Sequence, residues 1–153
     1  MLKIVLILGC IVAVFTFIYG IVRVPDVSMK PAIEDGDLAL YYRLDKLFNI
    51  GDVAVIQYQG RIGTGRVVAM EGDTVDITSD GFVINGALQI FQDIYYATTQ
   101  FAQGVDFPMT VAEGQIFLLG DNRPSATDSR IYGCVNLEDV QGKVIAVIRT
   151  RGI

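Results

Sequence analysis

The sequence contains no histidine and only two cysteines, which removes several chemistries at once. A transition-metal site of the usual nitrogen and sulfur type cannot be assembled, and neither can a Cys-His or Ser-His catalytic pair. Cys10 lies inside a long apolar run and Cys134 lies far along the chain, so the two are not expected to pair and no disulfide framework exists. Cys134 by itself reads as a small core residue rather than a reactive thiol. Basic residues are also few, 12 Lys and Arg against 17 Asp and Glu, for a net charge of −5. Without a basic run, nucleic acid is not an expected partner. Nothing favours a phosphate ligand, and no cofactor is expected.

What the chain has in quantity is apolar residues, 52% of 153, enough for one domain and an anchor. Ile4 to Val22 runs nineteen residues without a charge, between Lys3 and Arg23. As one helix it would span roughly 28 Å, close to the thickness of a bilayer core. A cleaved secretory signal is the alternative, but the run exceeds a typical signal core and no clear Ala-x-Ala site follows. The expectation is a transmembrane anchor over 1–23 and a separate domain over 24–153. Lys3 and the N-terminal amine stand against Arg23 and Lys30, so charge barely decides the orientation.

Beyond the anchor, β-branched and apolar residues come in short runs broken by Gly, Asp and Asn, the punctuation of strands. The expected strands are Leu38 to Arg43, Val53 to Tyr58, Arg66 to Met70, Thr74 to Thr78, Gly81 to Asn85, Ile116 to Leu119 and Val144 to Arg149. Ser79-Asp80-Gly81 and Asn85-Gly86 supply residues that tolerate positive φ, so the middle of the domain reads as hairpins. Asn136 to Val140 is expected to form one short turn of helix. The class is mainly β, a folded-over antiparallel sheet or partial barrel behind an N-terminal helix. Gln89 to Val111 is a long excursion whose Tyr95, Tyr96, Phe101 and Phe107 either cover the core or face a partner.

Several short motifs follow one another in a set order. Ser28-Met29-Lys30-Pro31 comes first, then Gly36-Asp37, Gly51-Asp52-Val53-Ala54-Val55, and Arg66-Val67-Val68-Ala69-Met70-Glu71-Gly72-Asp73. Asp80-Gly81, Ile84-Asn85-Gly86 and the block Gly120-Asp121-Asn122-Arg123-Pro124-Ser125-Ala126-Thr127-Asp128-Ser129-Arg130-Ile131-Tyr132-Gly133 complete the order. In this series the chain resembles the membrane-bound signal peptidase I family over nearly its whole length. Its short domain and its ending, Arg149-Thr150-Arg151-Gly152-Ile153, resemble the degenerate pilus-associated subgroup of Gram-positive bacteria.

The resemblance implies a serine and lysine dyad, with Ser28 at the nucleophile position. A serine hydroxyl needs a base to remove its proton, and lysine serves only when burial keeps it neutral. In the family the lysine directly precedes the arginine matched by Arg66, so the lysine position is Gly65, which has no acceptor. Ala126 stands where the family has the serine that orients that amine. Asp26 stands at the oxyanion-hole position, where a carboxylate repels developing negative charge instead of donating to it. Lys30, two residues from Ser28 on an extended strand, is one conceivable substitute base. Asp26 is another, although a carboxylate near its reference pKa of about 3.9 is a weak base; its plainer role is a local cap after Pro25. Met29, Pro31, Arg66, Gly120, Asp121, Asn122, Arg123, Asp128, Ser129, Arg130 and Gly133 are signature residues, with Asp128 and Arg130 as bracing charges and Gly120 and Gly133 at tight turns.

The function implied is that of a single-pass membrane protein, N-terminus cytoplasmic and domain extracellular, which binds secreted or pilin precursors without cutting them. An active signal peptidase using Ser28 with an atypical base is the alternative, and a purely structural membrane component is the third. The expected binding face is a strand edge beside Ser28 that takes an extended chain. An amine or carboxylate within hydrogen-bond reach of the Ser28 hydroxyl would support catalysis, whereas an empty space next to Gly65 would support the non-cleaving reading.

Overall fold

The computed structural model describes residues 2–92 and 94–149, so the part of the C-terminal signature beyond Arg149 lies outside the described residues. The apolar run begins as a helix, α1 (Leu2–Phe17), with none of its side chains buried. It does not stay helical. After Ile18 the chain becomes a strand, β1 (Tyr19–Arg23), paired along its length with β2 (Leu38–Tyr42), from Tyr19 opposite Tyr42 to Arg23 opposite Leu38.

This corrects the expectation of one helix from Ile4 to Val22. A run that is apolar at every position carries neither helical nor strand periodicity, so pattern alone cannot find the change. Tertiary packing decides it: Gly20 passes the Tyr41 ring where a Cβ would approach to 2.2 Å, and Val22 joins a buried cluster. The 16 residues of α1 reach roughly 24 Å, short of a bilayer core of about 30 Å. Among the described residues no helix is long and apolar enough to cross a membrane.

The rest is β, the class expected, in β3 (Val53–Tyr58), β4 (Arg61–Met70), β5 (Thr74–Thr78), β6 (Gly81–Ile84), β7 (Ala87–Leu88), β8 (Met109–Thr110) and β9 (Gln115–Leu119); β4 starts ahead of the expected Arg66, and neither β7 nor β8, which lies in the expected excursion, was anticipated. A one-turn helix, α2 (Ser129–Tyr132), precedes β10 (Val135–Asn136) and β11 (Val140–Ile148). The short helix expected at Asn136 to Val140 is instead a turn linking these last two strands; the helical turn lies a few residues earlier, where Asp128 caps it by accepting from the Arg130 N–H. The signal for that cap was present, because aspartate before a short run is a preferred N-cap.

Two antiparallel sheets result, one in the order β1-β2-β11-β3-β4-β9-β10 and the other β7-β6-β5-β8. Neither closes on itself, so the fold is an open pair of sheets rather than a barrel. Register shifts interrupt β11 against both its neighbours and β4 against β9; such bulges sharpen local twist and let the large sheet curl. Val68, Ala69, Phe117 and Leu119 of the large sheet pack on Val75, Ile77 and Phe82 of the small one. A second cluster joins Val22, Val24, Met29, Ile33 and Val55. It fixes the turn that carries Ser28, since Met29 is wholly buried beside it. Both cysteines are free, Cys10 exposed and Cys134 half-buried.

Candidate active site

Ser28 is held by its backbone. Its carbonyl accepts from the Asn122 N–H at 2.9 Å, and the Asn122 side chain donates to the neighbouring Val27 carbonyl at 3.1 Å. Its own N–H donates to Asp26 Oδ1 at 2.9 Å. Thus Asp26 folds back two residues along the chain, the geometry of a local carboxylate turn. Among the described residues, no amine or carboxylate hydrogen-bonds the Ser28 hydroxyl. Ser28 itself is only 4% exposed.

The structure brings Gly120, Asn122 and Ala126 to this turn. Gly120 packs against it so tightly that a Cβ there would lie 2.3 Å from the Ala126 Cβ and 2.6 Å from the Ser28 carbonyl oxygen. That contact explains the glycine without any appeal to positive φ. Gly65 lies on β4 opposite Ala54 of β3, buried. A Cβ at Gly65 would be 3.0 Å from Leu118 Cβ, so a close side-chain contact stands there and not the empty space that would have supported the non-cleaving reading. Lys30 is directed elsewhere, its amine 3.0 Å from Asp35 and 3.9 Å from Glu34. It is no substitute base.

The bracing charges form one buried network. Asp128 accepts from the Gly120 N–H at 3.0 Å and from Arg130 Nε and Nη2 at 2.9 and 2.8 Å. Arg130 continues to the Thr99 and Arg123 carbonyls and stacks on Phe101. Ser129 Oγ accepts from the Leu118 N–H, and Gly133 closes α2 at φ 83°. Arg123 reaches the Gly120 carbonyl and Thr98, with its guanidinium over the Phe91 ring. Burial, then the nearby Arg130 charge, lowers its pKa to about 10. Arg66 grips Asp121 with two hydrogen bonds, at 2.8 and 2.5 Å, and donates to the Gly51 carbonyl. The excursion after Gln89 is therefore divided. Phe91, Thr98 and Phe101 serve the network, whereas Tyr95 and Tyr96 are 83% and 53% exposed.

Beside the turn runs a groove of about 600 Å³. One wall is the end of β1 through Pro25 and Asp26; the other is the β3–β4 hairpin through Ile56, Tyr58, Ile62 and Thr64; Thr127 and Tyr132 close it. Tyr58 and Tyr132 lean together at 4.6 Å between ring centroids. Burial, and after it the Asp128 and Tyr58 charges and Asp26, push the Tyr132 phenol well above its ordinary range, so it stays neutral. Sequence reasoning missed Thr64, Tyr58 and Tyr132. The Gln59-Gly60 turn, with φ of 48° and 76°, was the available sign of a hairpin that carries β4 back past residue 66.

A model of the signal peptidase, peptidase S26, family matches residues 1–149. A probable signal peptidase I-1 of Synechocystis is 27% identical over 136 residues, which cover 80% of this chain and 67% of that protein. Thylakoidal processing peptidase 1 of Arabidopsis thaliana is 25% identical over 138 residues, and there the match spans only 39% of the plant protein. Mouse mitochondrial inner membrane protease subunit 1 is 26% identical over 143 residues, 89% of this chain and 74% of that one. A crystal structure of a signal peptidase I from Enterococcus faecalis superposes with a TM-score of 0.53 at 27% identity, covering 65% of this chain and 97% of the other. With nearly the whole chain matched and the β architecture shared, the protein belongs to the signal peptidase family, peptidase S26.

Proposed function

We propose that this protein binds secreted or pilin precursors in the groove beside Ser28, at the outer face of a membrane, without cleaving them. On this reading α1 belongs to the anchor, and the domain, which begins with β1 at Tyr19 rather than at residue 24, is extracellular. The observation that carries it is the hydrogen bond from the Ser28 N–H to Asp26 Oδ1 at 2.9 Å. In acyl transfer by serine, the nucleophile's own N–H is a donor that a tetrahedral oxyanion requires. Here a carboxylate already occupies that donor, and its charge opposes a second anion. Gly65 offers no base and Ala126 nothing to orient one. Ground-state binding survives these losses, because strand pairing and side-chain pockets hold an extended chain without proton transfer.

An active peptidase is the second reading, favoured by the relatives' names and by Ser28 itself. Asp26 would then be the base, although its Oδ1 accepts from the Ser28 amide. Incubation of the purified full-length protein in detergent with a labelled preprotein, together with the Ser28→Ala variant, separates the two. The expected outcome is an intact preprotein with both. A product formed by the parent protein and absent with Ser28→Ala establishes the peptidase and removes the non-cleaving role.

A further inference from the structure

The groove contains a polar group that the fold leaves unused. Thr64 is 6% exposed and lines the groove, and its Oγ1 is buried without a hydrogen-bond partner. Val55, opposite it on β3, packs with Val22, Val24 and Met29, so that neighbour offers no acceptor. The groove beside it presents the aliphatic Ile56 and Ile62 and the Tyr58–Tyr132 pair, with Arg23, Asp26, Gln59, Arg61 and Thr127 as its other polar lining. A buried hydroxyl without a partner forfeits the bonds that water gives it in the unfolded chain. Valine has nearly the same shape and loses nothing on burial. For folding alone, Thr64 is therefore the worse residue.

We infer that Thr64 makes the groove selective for a polypeptide that presents a serine or threonine hydroxyl to β4. The inference rests on the groove as a binding site for an extended chain, and it specifies what that chain carries. A backbone group of the bound chain is a poorer candidate, because those groups are used in pairing along the strand edge. A small hydroxyl both donates and accepts, and so matches a lone threonine hydroxyl whichever way that hydroxyl turns.

The test uses the full-length protein in detergent and fluorescein-labelled Ala/Val host peptides in which a single serine is moved one position at a time. Binding by anisotropy is expected to be roughly five- to tenfold tighter for one serine position than for the serine-free host. That ratio should fall to about one in Thr64→Val and persist in Thr64→Ser. Thr64→Val should also melt roughly 2–4 °C higher than the parent, since it removes an unpaired buried group. If the host binds but no serine position helps, or the serine advantage survives in Thr64→Val, the inference is overturned and the groove reading stands. A lower melting temperature for Thr64→Val likewise overturns it, because the hydroxyl would then be satisfied within the fold. If no peptide binds at all, the groove reading falls and takes the inference with it.

Discussion

Two halves of the same site, a few residues apart, are built to different standards. Around Asp128 and Arg130, charges that are almost wholly buried make a continuous set of hydrogen bonds, from the Gly120 amide through α2 to the Thr99 and Arg123 carbonyls. Around Ser28, the backbone is secured but the hydroxyl meets neither amine nor carboxylate among the described residues. The first half is held by folding itself, because a buried charge that loses its partner is heavily penalised. The second is held by nothing comparable. A hydroxyl without such partners adds little to the fold, so this half can vary while the braced frame persists.

The sharpest way to break this contrast is to cut the braced half. Asp128→Ala strands the Arg130 guanidinium, 1% exposed, and should destabilise the protein by about 3–5 kcal/mol, measured by chemical unfolding. A loss below about 1 kcal/mol would mean that both halves are equally loose. Next in size is an attempt to rebuild the other half. Gly65→Lys places a Cβ 3.0 Å from Leu118 Cβ, so overpacking should cost about 1–3 kcal/mol. Even with Ala126→Ser and Asp26→Ser added, it should yield no preprotein cleavage, because a lysine acts as a base only where its surroundings keep it neutral. Cleavage by the triple variant would show that the frame still accepts the chemistry.

How much of this was readable beforehand follows from the same division. The strands from Leu38 to Thr78 emerged from alternation and turn residues, since local pattern and tertiary packing agree there. The Ser28 turn and the Gly120 to Gly133 block were found because they are contiguous in sequence. The end of α1 was not legible, for Gly20 is explained only by the Tyr41 ring that reaches it from β2. The Leu118 contact at Gly65 was equally hidden, because Leu118 lies 53 positions away and meets it from the neighbouring strand β9. Thr64 reads as an ordinary strand threonine until its neighbours are known.

Smaller effects sharpen the contrast within the turn. Asp26→Ala removes the carboxylate that accepts the Ser28 N–H, and should cost about 1 kcal/mol by thermal unfolding; an effect near zero would mean that water replaces it freely. The smallest is a pH effect at Tyr132. Its phenol is raised above the ordinary 10.0 by burial, so above pH 10 the unfolded chain releases a proton that the folded one keeps. Stability should therefore fall as pH rises past about 10, and Tyr132→Phe should flatten that part of the profile. An unchanged slope would show that the phenol ionises freely in the folded protein.

One consequence follows from the junction at Ile18. No pliable linker separates α1 from the domain: Ile18 bonds back to Val14, Arg43 bonds Ile18 and the Tyr19 carbonyl, and β1 begins at once. From there the strand leads straight to Asp26 at the groove, a span of roughly 25 Å at strand pitch. The helix thus acts as a mast rather than a leash. The direction of α1 and that of the strand leading to the groove are therefore set together.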